Sequence, residues 1–511
     1  MTTADTDTAA GAGWTTSAKV VAAFVVGTLV GVLSIAKLVP AAQLSANASG
    51  PAGSAAPNST SPGSRLVNKA GTAPVAAPGS KPGALSPTST NNHALPSGLR
   101  CDAAHNGGST DRGVTANSVK LATTVVESGI GSAFQGEMRY GMEAVVRQVN
   151  SAGGICGRTL HVNYQDDGWS GPIGAQYLRD FIHGGVFAIP VGASSEGLKV
   201  VIDSGDITST QTPVVGTDGL EIDQYMTSQG GPQPWVWPVA TATVSSARIM
   251  VDDAYRRGAR HFAVVFDTNY HFGREAATAF NSEVKRLTGG NVSGYPSSSC
   301  SQLYCGIKSG QNSYSSQALT VKKGAADFIA LFLEPETALT WMADANTPPA
   351  SGGAAPTYGY GAAQPLFTNQ FESQCGDKCD QMVVWTGFKP VVEQYASDAS
   401  VRGYVSALQT VNPGADQYNQ FTEGAYLGME LFVDALRQVG PGLTRTALKT
   451  ALDALKFQPG VTLQSALAYS PSTRFANVTM QGFVMQYKGS AGGWRVGPTG
   501  TDPRPQAGAG S

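Results

Sequence analysis

From about residue 118 the chain alternates between apolar residues spaced by two and apolar residues spaced by three or four, and it does so in two successive sets. Val119, Leu121, Thr123 and Val125 alternate as in a strand. Met138, Met142, Val145 and Val149 then fall on one helical face. Leu160, Val162 and Tyr164 predict the next strand, and Val186–Val191 is a short apolar run typical of a strand buried in a parallel sheet. Pro213–Val215 closes this set. In the second set Val244, Ala247, Val251 and Ala254 form a helical stripe, followed by an apolar strand at Phe262–Phe266. A helix through Ala276, Phe280, Val284 and Leu287 precedes a further buried strand at Phe328–Leu333. Ala425, Met429, Phe432, Leu436 and Val439 mark a strong amphipathic helix, Leu448, Leu452 and Leu455 another, and Phe483–Tyr487 a late strand. Repeated β-α-β units require parallel sheets with helices on both faces, so two sets predict an α/β chain of two doubly wound, Rossmann-like lobes. Ligands of such sheets bind outside the carboxyl ends of the strands, here the loops after Val126, Tyr164, Val191, Val215, Phe266 and Leu333. No helical repeat of short period is present, which removes solenoids.

A chain of 511 residues exceeds one hydrophobic core. Only 14% of residues are charged, and 34 basic against 36 acidic residues leave a net charge of -2. That balance argues against a broad footprint for nucleic acid or anionic lipid. Gly, Ala, Ser, Thr and Pro replace the missing charge, above all near the N-terminus. Val20–Ala36 is apolar and uncharged between Lys19 and Lys37, and at ~1.5 Å per residue it is just long enough to cross a bilayer core. Residues 44–99 lack apolar periodicity and cannot bury enough surface to fold. The expected order is therefore a short cytoplasmic tail at 1–18, a transmembrane anchor or signal segment at 19–38, and a disordered Ser/Pro/Ala/Gly linker at 39–100. Ala41, Ala42 and Ala46 would permit signal cleavage, whereas no cysteine follows closely enough for a lipoprotein anchor. Anchored to the cell membrane by the helix or secreted after cleavage, the remainder is expected to be extracytoplasmic. The six cysteines fit an oxidising compartment, with the expected pairs Cys101–Cys156, Cys300–Cys305 and Cys375–Cys379. A four-cysteine zinc site from the two local pairs is the competing reading, disfavoured by spacings longer than C-x2-C and by the lack of an adjacent histidine.

Several segments, taken in order, resemble the branched-chain amino-acid-binding proteins of ABC transporters. They are Val119–Val126 followed by Ser128-Gly129, the helix through Gly141, and Val149-Asn150-Ser151-Ala152-Gly153-Gly154-Ile155-Cys156-Gly157-Arg158. Tyr164-Gln165-Asp166-Asp167, Val191-Gly192-Ala193-Ser194-Ser195, Thr212-Pro213 and Phe272-Gly273-Arg274 continue the series over about residues 115–490. The resemblance implies a periplasmic-binding-protein type I fold, two lobes joined by a three-strand hinge that shut around a ligand. It places lobe 1 at 101–237 and 385–457 and lobe 2 at 238–384 and 458–490, with crossings near Trp237, Val384 and Phe457 and a disordered tail at 491–511.

The family holds an amino acid's carboxylate with hydroxyls and backbone N–H groups where loops enter helices, a geometry that unpaired helix N-terminal donors favour in general. Ser194 and Ser195 follow a strand and precede a helix, and Gly216 and Thr217 follow Val215 in the same way; helix capping is the alternative role. Phe134 and Phe272 fall where the family places aromatics over the ligand, though each could instead pack on its own lobe. Trp169 reads as a surface-covering side chain, with the cleft entrance as the alternative. Where the family places an acidic group for the ligand ammonium, this chain has Phe367-Thr368-Asn369-Gln370, so Gln370 becomes a candidate contact and Glu334 or Glu372 a substitute acid. The expected ligand is then an amide, a small carboxylate or another polar metabolite rather than leucine. The resemblance implies an ABC permease as partner, no cofactor, no resident metal and no catalysis.

Other classes fit less well. Gly129-Ile130-Gly131 follows a strand, but Phe134 stands where a dinucleotide fingerprint needs glycine, and Asp166 and Asp167 come too late to hold a ribose. Gly192-Ala193-Ser194-Ser195-Glu196 lacks the second glycine of a hydrolase elbow, and no histidine stands in a recognisable relation to Ser194. A ligand-sensing receptor ectodomain shares the fold, yet the residues before the apolar run are too few for a cytoplasmic signalling domain.

Overall fold

The computed structural model describes residues 100–502 apart from 193, 218–220, 240–241, 291–299, 458–466, 470–471, 473, 475–477 and 487–492. The expected apolar segment at 19–38 and the tract following it lie outside the described residues. Among the described residues no helix is long and apolar enough to cross a membrane.

The first lobe opens with β1 (Ser118–Val125), the short α1 (Ser132–Gln135), α2 (Met138–Ser151), β2 (Thr159–Asp166) and α3 (Gly171–His183). It continues with β3 (Ile189–Pro190), α4 (Ser195–Asp203), α5 (Asp206–Thr210), β4 (Val214–Thr217) and β5 (Val236–Pro238). β1 and β2 run parallel in register from Ser118 opposite Thr159 to Val125 opposite Asp166. A parallel bridge from Leu121 to Ala188 sets the β3 segment on the other side of β1, and β4 and β5 follow in parallel. Strand order is thus 2-1-3-4-5, a doubly wound arrangement. Val119, Leu121, Ala122 and Val125 are all buried, because helices cover both faces of the sheet.

The second lobe repeats that order. It comprises α6 (Thr243–Arg257), β6 (Phe262–Asp267), α7 (His271–Thr288), β7 (Tyr304–Ile307), α8 (Ser315–Lys323) and β8 (Phe328–Phe332). α9 (Pro335–Ala345), β9 (Tyr360–Ala362), α10 (Asn369–Cys375) and β10 (Val383–Thr386) follow. The parallel strands lie in the order 7-6-8-9-10. The chain then returns through α11 (Ala399–Val411), α12 (Gln420–Val439) and α13 (Arg445–Asp453), with α12 packed on α2 and β4 and α11 on α2. The contact of α12 with β4 is backbone on backbone. Gly216 has φ +79°, and a Cβ there would run into the backbone of Gly428, as one on Gly428 would into Gly216.

After a small antiparallel pair, β11 (Lys456–Phe457) with β12 (Leu467–Ala468), the chain adds β13 (Val478–Gln486) and β14 (Gly493–Asp502) antiparallel to the second sheet. Within the tail expected to be disordered at 491–511, the described residues 493–502 form a strand instead. Gly493–Asp502 is an edge strand: Trp494 stacks on Phe367 at 4.8 Å, and the buried Asp502 meets the buried Arg248 at 3.4 Å. Its Gly/Pro-rich sequence hides the strand, since an edge position tolerates Pro498. The cysteines pair as Cys101–Cys156, Cys300–Cys305 and Cys375–Cys379.

Candidate functional site

Loops at the carboxyl ends of strands in both sheets meet along one seam. Trp169, after β2, lies flat on Tyr270, after β6, with ring centroids 3.7 Å apart and planes 9° apart. The Glu196 carboxylate at the start of α4 accepts from the His271 N–H at 2.9 Å. Both Glu275 oxygens accept from the Ile222 N–H, at 3.0 and 3.1 Å. His271 Nε2 lies 2.9 Å from Asp223 Oδ2. On the other flank Asp416, ahead of α12, accepts from the Asn369 N–H at 3.1 Å and from Asn369 Nδ2 at 2.9 Å. The two lobes are shut against each other.

Aromatic rings fill the middle of the seam. Phe134 packs edge-on against Trp169 at 5.2 Å and Phe421 at 5.0 Å, while Phe272 lies 6.0 Å from Trp169. Phe134 and Phe272 therefore do not face each other across a gap; Trp169 stands between them. The surface-covering reading of Trp169 is corrected: it is 4% exposed, and Nε1 donates to Ser195 Oγ at 3.1 Å. Its φ of +63°, uncommon for a bulky residue, turns the ring off the end of β2 and onto the second lobe.

Ser194 and Ser195 sit together where β3 gives way to α4. The turn before them places Val191 at φ +64° and Gly192 at φ +57°, and a β-branched residue in the left-handed region is strained backbone of the kind found at ligand loops. Ser194 is fully buried, and so is Thr124 near the end of β1. Both hydroxyls lie against the Asp167 carboxyl after β2, one oxygen of which accepts from the Trp169 N–H at 2.9 Å. Burial pushes the Asp167 carboxyl up to about 6, against the opposing effect of the Ser194 and Thr124 hydroxyls. Thr217 is buried at the end of β4, near Gly192. Gly216 before it is where α12 approaches closely.

In the second lobe Glu334 caps α9, its carboxylate accepting from the Glu336 and Thr337 N–H groups at 2.8 Å each. Burial raises it to about 7. Capping engages one lone pair on each oxygen, and Glu334 lies within electrostatic reach of Asp267 and Tyr270, which places this cap beside the seam. Gln370 is exposed on α10, outside the buried seam, because the chain turns there to present Asn369 to Asp416. Glu372 is raised by burial and lies near Arg495. The acid that sequence reasoning missed is Asp267, the last residue of β6. It is fully buried and raised to about 6 by burial, against the Asn269 N–H, which donates to one oxygen at 2.7 Å, and the Ser309 hydroxyl and Tyr270 N–H, which also hold it down. The signal was present, since an acid directly after the Phe262–Phe266 run lies at a strand's carboxyl end. Tyr270 and the Asp223–His271 pair were missed too, because each is defined only by the opposite lobe.

Asp223, His271 and Glu275 offer three ligand atoms within 4.8 Å of one another. Each is already engaged, with Lys199 Nζ 3.5 Å from Asp223 Oδ2, His271 on the same oxygen and the Ile222 N–H on Glu275. The group acts as an interlobe latch. Asp223 raises His271, burial raises Glu275 well above its ordinary value, and burial with the nearby Glu196 raises Glu221 to about 7.

A family model described as periplasmic binding protein matches residues 118–492. No curated protein sequence matches the chain. Among solved structures, a periplasmic binding protein type 1 from Bordetella pertussis Tohama I superposes with a TM-score of 0.61 at 16% identity, covering 75% of this chain and 100% of that one. A fatty acid ABC transporter substrate-binding protein from Thermomonospora curvata gives 0.62 at 17%, covering 77% and 95%. A branched-chain amino acid transporter substrate binding protein from Streptococcus pneumoniae, solved in complex with isoleucine, gives 0.57 at 15%, covering 75% and 100%. At these identities the likeness is one of fold.

Proposed function

Because the chain belongs to the periplasmic binding protein family, we propose that it is the extracytoplasmic solute-binding component of an ABC importer, taking a small amphipathic metabolite between its lobes and performing no chemistry on it. The observation that carries this reading is the set of buried polar groups gathered at the strand ends: Asp167 with the Thr124 and Ser194 hydroxyls against it in the first lobe, and Asp267 in the second. Buried polar groups are costly unless their hydrogen-bonding capacity is met. A ligand bearing N–H or O–H groups adds partners at several of them at once, and the rings of Phe134, Trp169, Tyr270 and Phe272 suit its apolar part.

Asp267 supplies an acidic group that the 367–370 segment lacks, which favours an amino-acid-like ligand or an amide over a simple carboxylate. Such a ligand touches both lobes only when they shut, so it selects the shut form by its differential affinity, and that form is the one an ABC permease would receive. The expected apolar segment at 19–38 would hold the protein at the membrane. Calorimetry of the folded protein against amino acids, amides and small carboxylates tests the reading. Heat is expected from the first two classes; silence from all three would sink it.

A further inference from the structure

Gln420, the first residue of α12, is 2% exposed, and neither its Oε1 nor its Nε2 has a hydrogen-bond partner among the described residues. Its neighbours along the chain fix where it lies. Asp416 holds Asn369 of the second lobe, Asn419 Nδ2 donates to the Phe134 carbonyl at 2.8 Å, and the Phe421 ring meets Phe134 edge-on. Phe134 in turn meets Trp169, the ring that lies on Tyr270. α12 also touches Gln364–Leu366, the turn after β9 in the second lobe. The first turn of α12 is thus part of the seam wall. Beside the bond from Asn419 to Phe134 stands a second orphan: Gln135, directly after Phe134, is 4% exposed, and its Oε1 has no partner among the described residues. An amide buried with donor and acceptor both unused is destabilising, whereas methionine would fill the same space without that cost. The amide is therefore best accounted for by a partner from outside the chain.

The two ends of the amide restrict what that partner is. Oε1 accepts and Nε2 donates, in one plane. An ammonium offers donors alone and leaves Nε2 without an acceptor. A carboxylate offers acceptors alone and sets an oxygen against Oε1. An apolar side chain answers neither end. A primary carboxamide answers both in the same plane, and its second N–H is left for a further acceptor of the kind Gln135 Oε1 supplies. We propose that Gln420 is a specificity-determining residue of the seam, selecting an amino acid whose side chain ends in a primary carboxamide and pairing with that group through two hydrogen bonds. This rests on the reading of the seam as the solute site, and narrows it from amino-acid-like solutes and amides at large to amide-bearing amino acids.

Titration calorimetry of the full chain with L-asparagine and L-glutamine, against L-aspartate, L-glutamate and L-leucine, tests it. One of the two amides is expected to bind roughly tenfold or more tighter than its own acid and than leucine, because a site built to hydrogen-bond rejects analogues that leave its buried groups unpaired. Gln420→Met keeps the length of the side chain and removes both hydrogen-bonding atoms. It is expected to weaken the preferred amide roughly tenfold while leaving leucine within about twofold, so that the preference itself collapses. A residue that only packs the helix would move all ligands together or none. The urea midpoint of Gln420→Met should not fall below that of wild type, since methionine leaves no polar atom unpaired; should the variant not fold, the wild-type ranking decides by itself. The proposal is overturned, with the reading of the seam intact, if an acid or leucine binds as tightly as both amides, or if folded Gln420→Met keeps the amide preference. Silence from these five and from simple amides and small carboxylates would overturn the reading of the seam and this inference with it.

Discussion

The Ser194 and Thr124 hydroxyls lie against the buried Asp167 carboxyl and hold it down, and this separates their expected behaviour from that of ordinary core residues. Ser194→Ala removes one of those hydroxyls, so urea unfolding at pH 7.5 should lose about 0.5–1.5 kcal/mol while ligand affinity falls roughly tenfold. A loss of stability with unchanged affinity would make Ser194 a packing residue. Asp167 has a folded-state value of about 6, above the ordinary 3.8, so the folded protein holds a proton that the unfolded chain releases. Its contribution is complete below pH ~4 and lost as pH rises towards 6, a swing on the order of 2 kcal/mol that Asp167→Asn should abolish. Unfolding curves at pH 4.5 and 7.5 for both proteins measure it. Ser194 was legible in the sequence because a Gly-x-Ser-Ser step between an apolar run and a helix is a local pattern. Asp267 and Tyr270 were not, since nothing in their own segment states that the opposite lobe will cover them.

Long or fully apolar strands such as β1, β2, β6 and β8 announce themselves, whereas β3, β5 and β9 span too few residues to show a period. β14 is the instructive failure. Gly493–Asp502 has neither alternation nor an apolar run, and it is held by what it meets: Trp494 on Phe367, and Asp502 against Arg248 with both side chains buried. Asp502→Asn leaves a buried guanidinium short of its counter-charge and should cost about 3–5 kcal/mol. Chemical denaturation measures this, and a neutral result would return the segment to the status of a loose tail. The glycine pair is a sharper case. Gly216→Ala adds a methyl where the Gly428 backbone already lies and at a φ of +79°, so it should cost about 2–4 kcal/mol. Ala at Gly403, inside α11 with open space around it, should instead stabilise by about 0.5–1 kcal/mol.

Across the whole molecule the seam is held on one side by titrating groups, so shutting should depend on pH. The Asp223–His271 contact lowers Asp223 and raises His271, while Glu221 and Glu275 are raised by burial. The groups raised on shutting favour the shut form below their ordinary values and stop doing so as pH climbs through the raised ones; Asp223 fails only when pH drops below its ordinary 3.8. Shutting is therefore expected to be firmest near pH 4, between the ordinary values of Asp223 and of the glutamates, and to loosen as pH rises through about 7 towards 8. Small-angle scattering across that range should show the radius of gyration growing with pH, with a flatter profile in His271→Gln; a radius independent of pH in both would refute the latch. The order in which the chain visits its sheets has a further consequence during synthesis. The five parallel strands of the second sheet emerge as an unbroken stretch, but the first sheet cannot receive α12 until the ribosome has passed residue 439. The body begun first is thus finished after the core of its neighbour, and a nascent chain stalled before that point would present an uncovered β4 to chaperones.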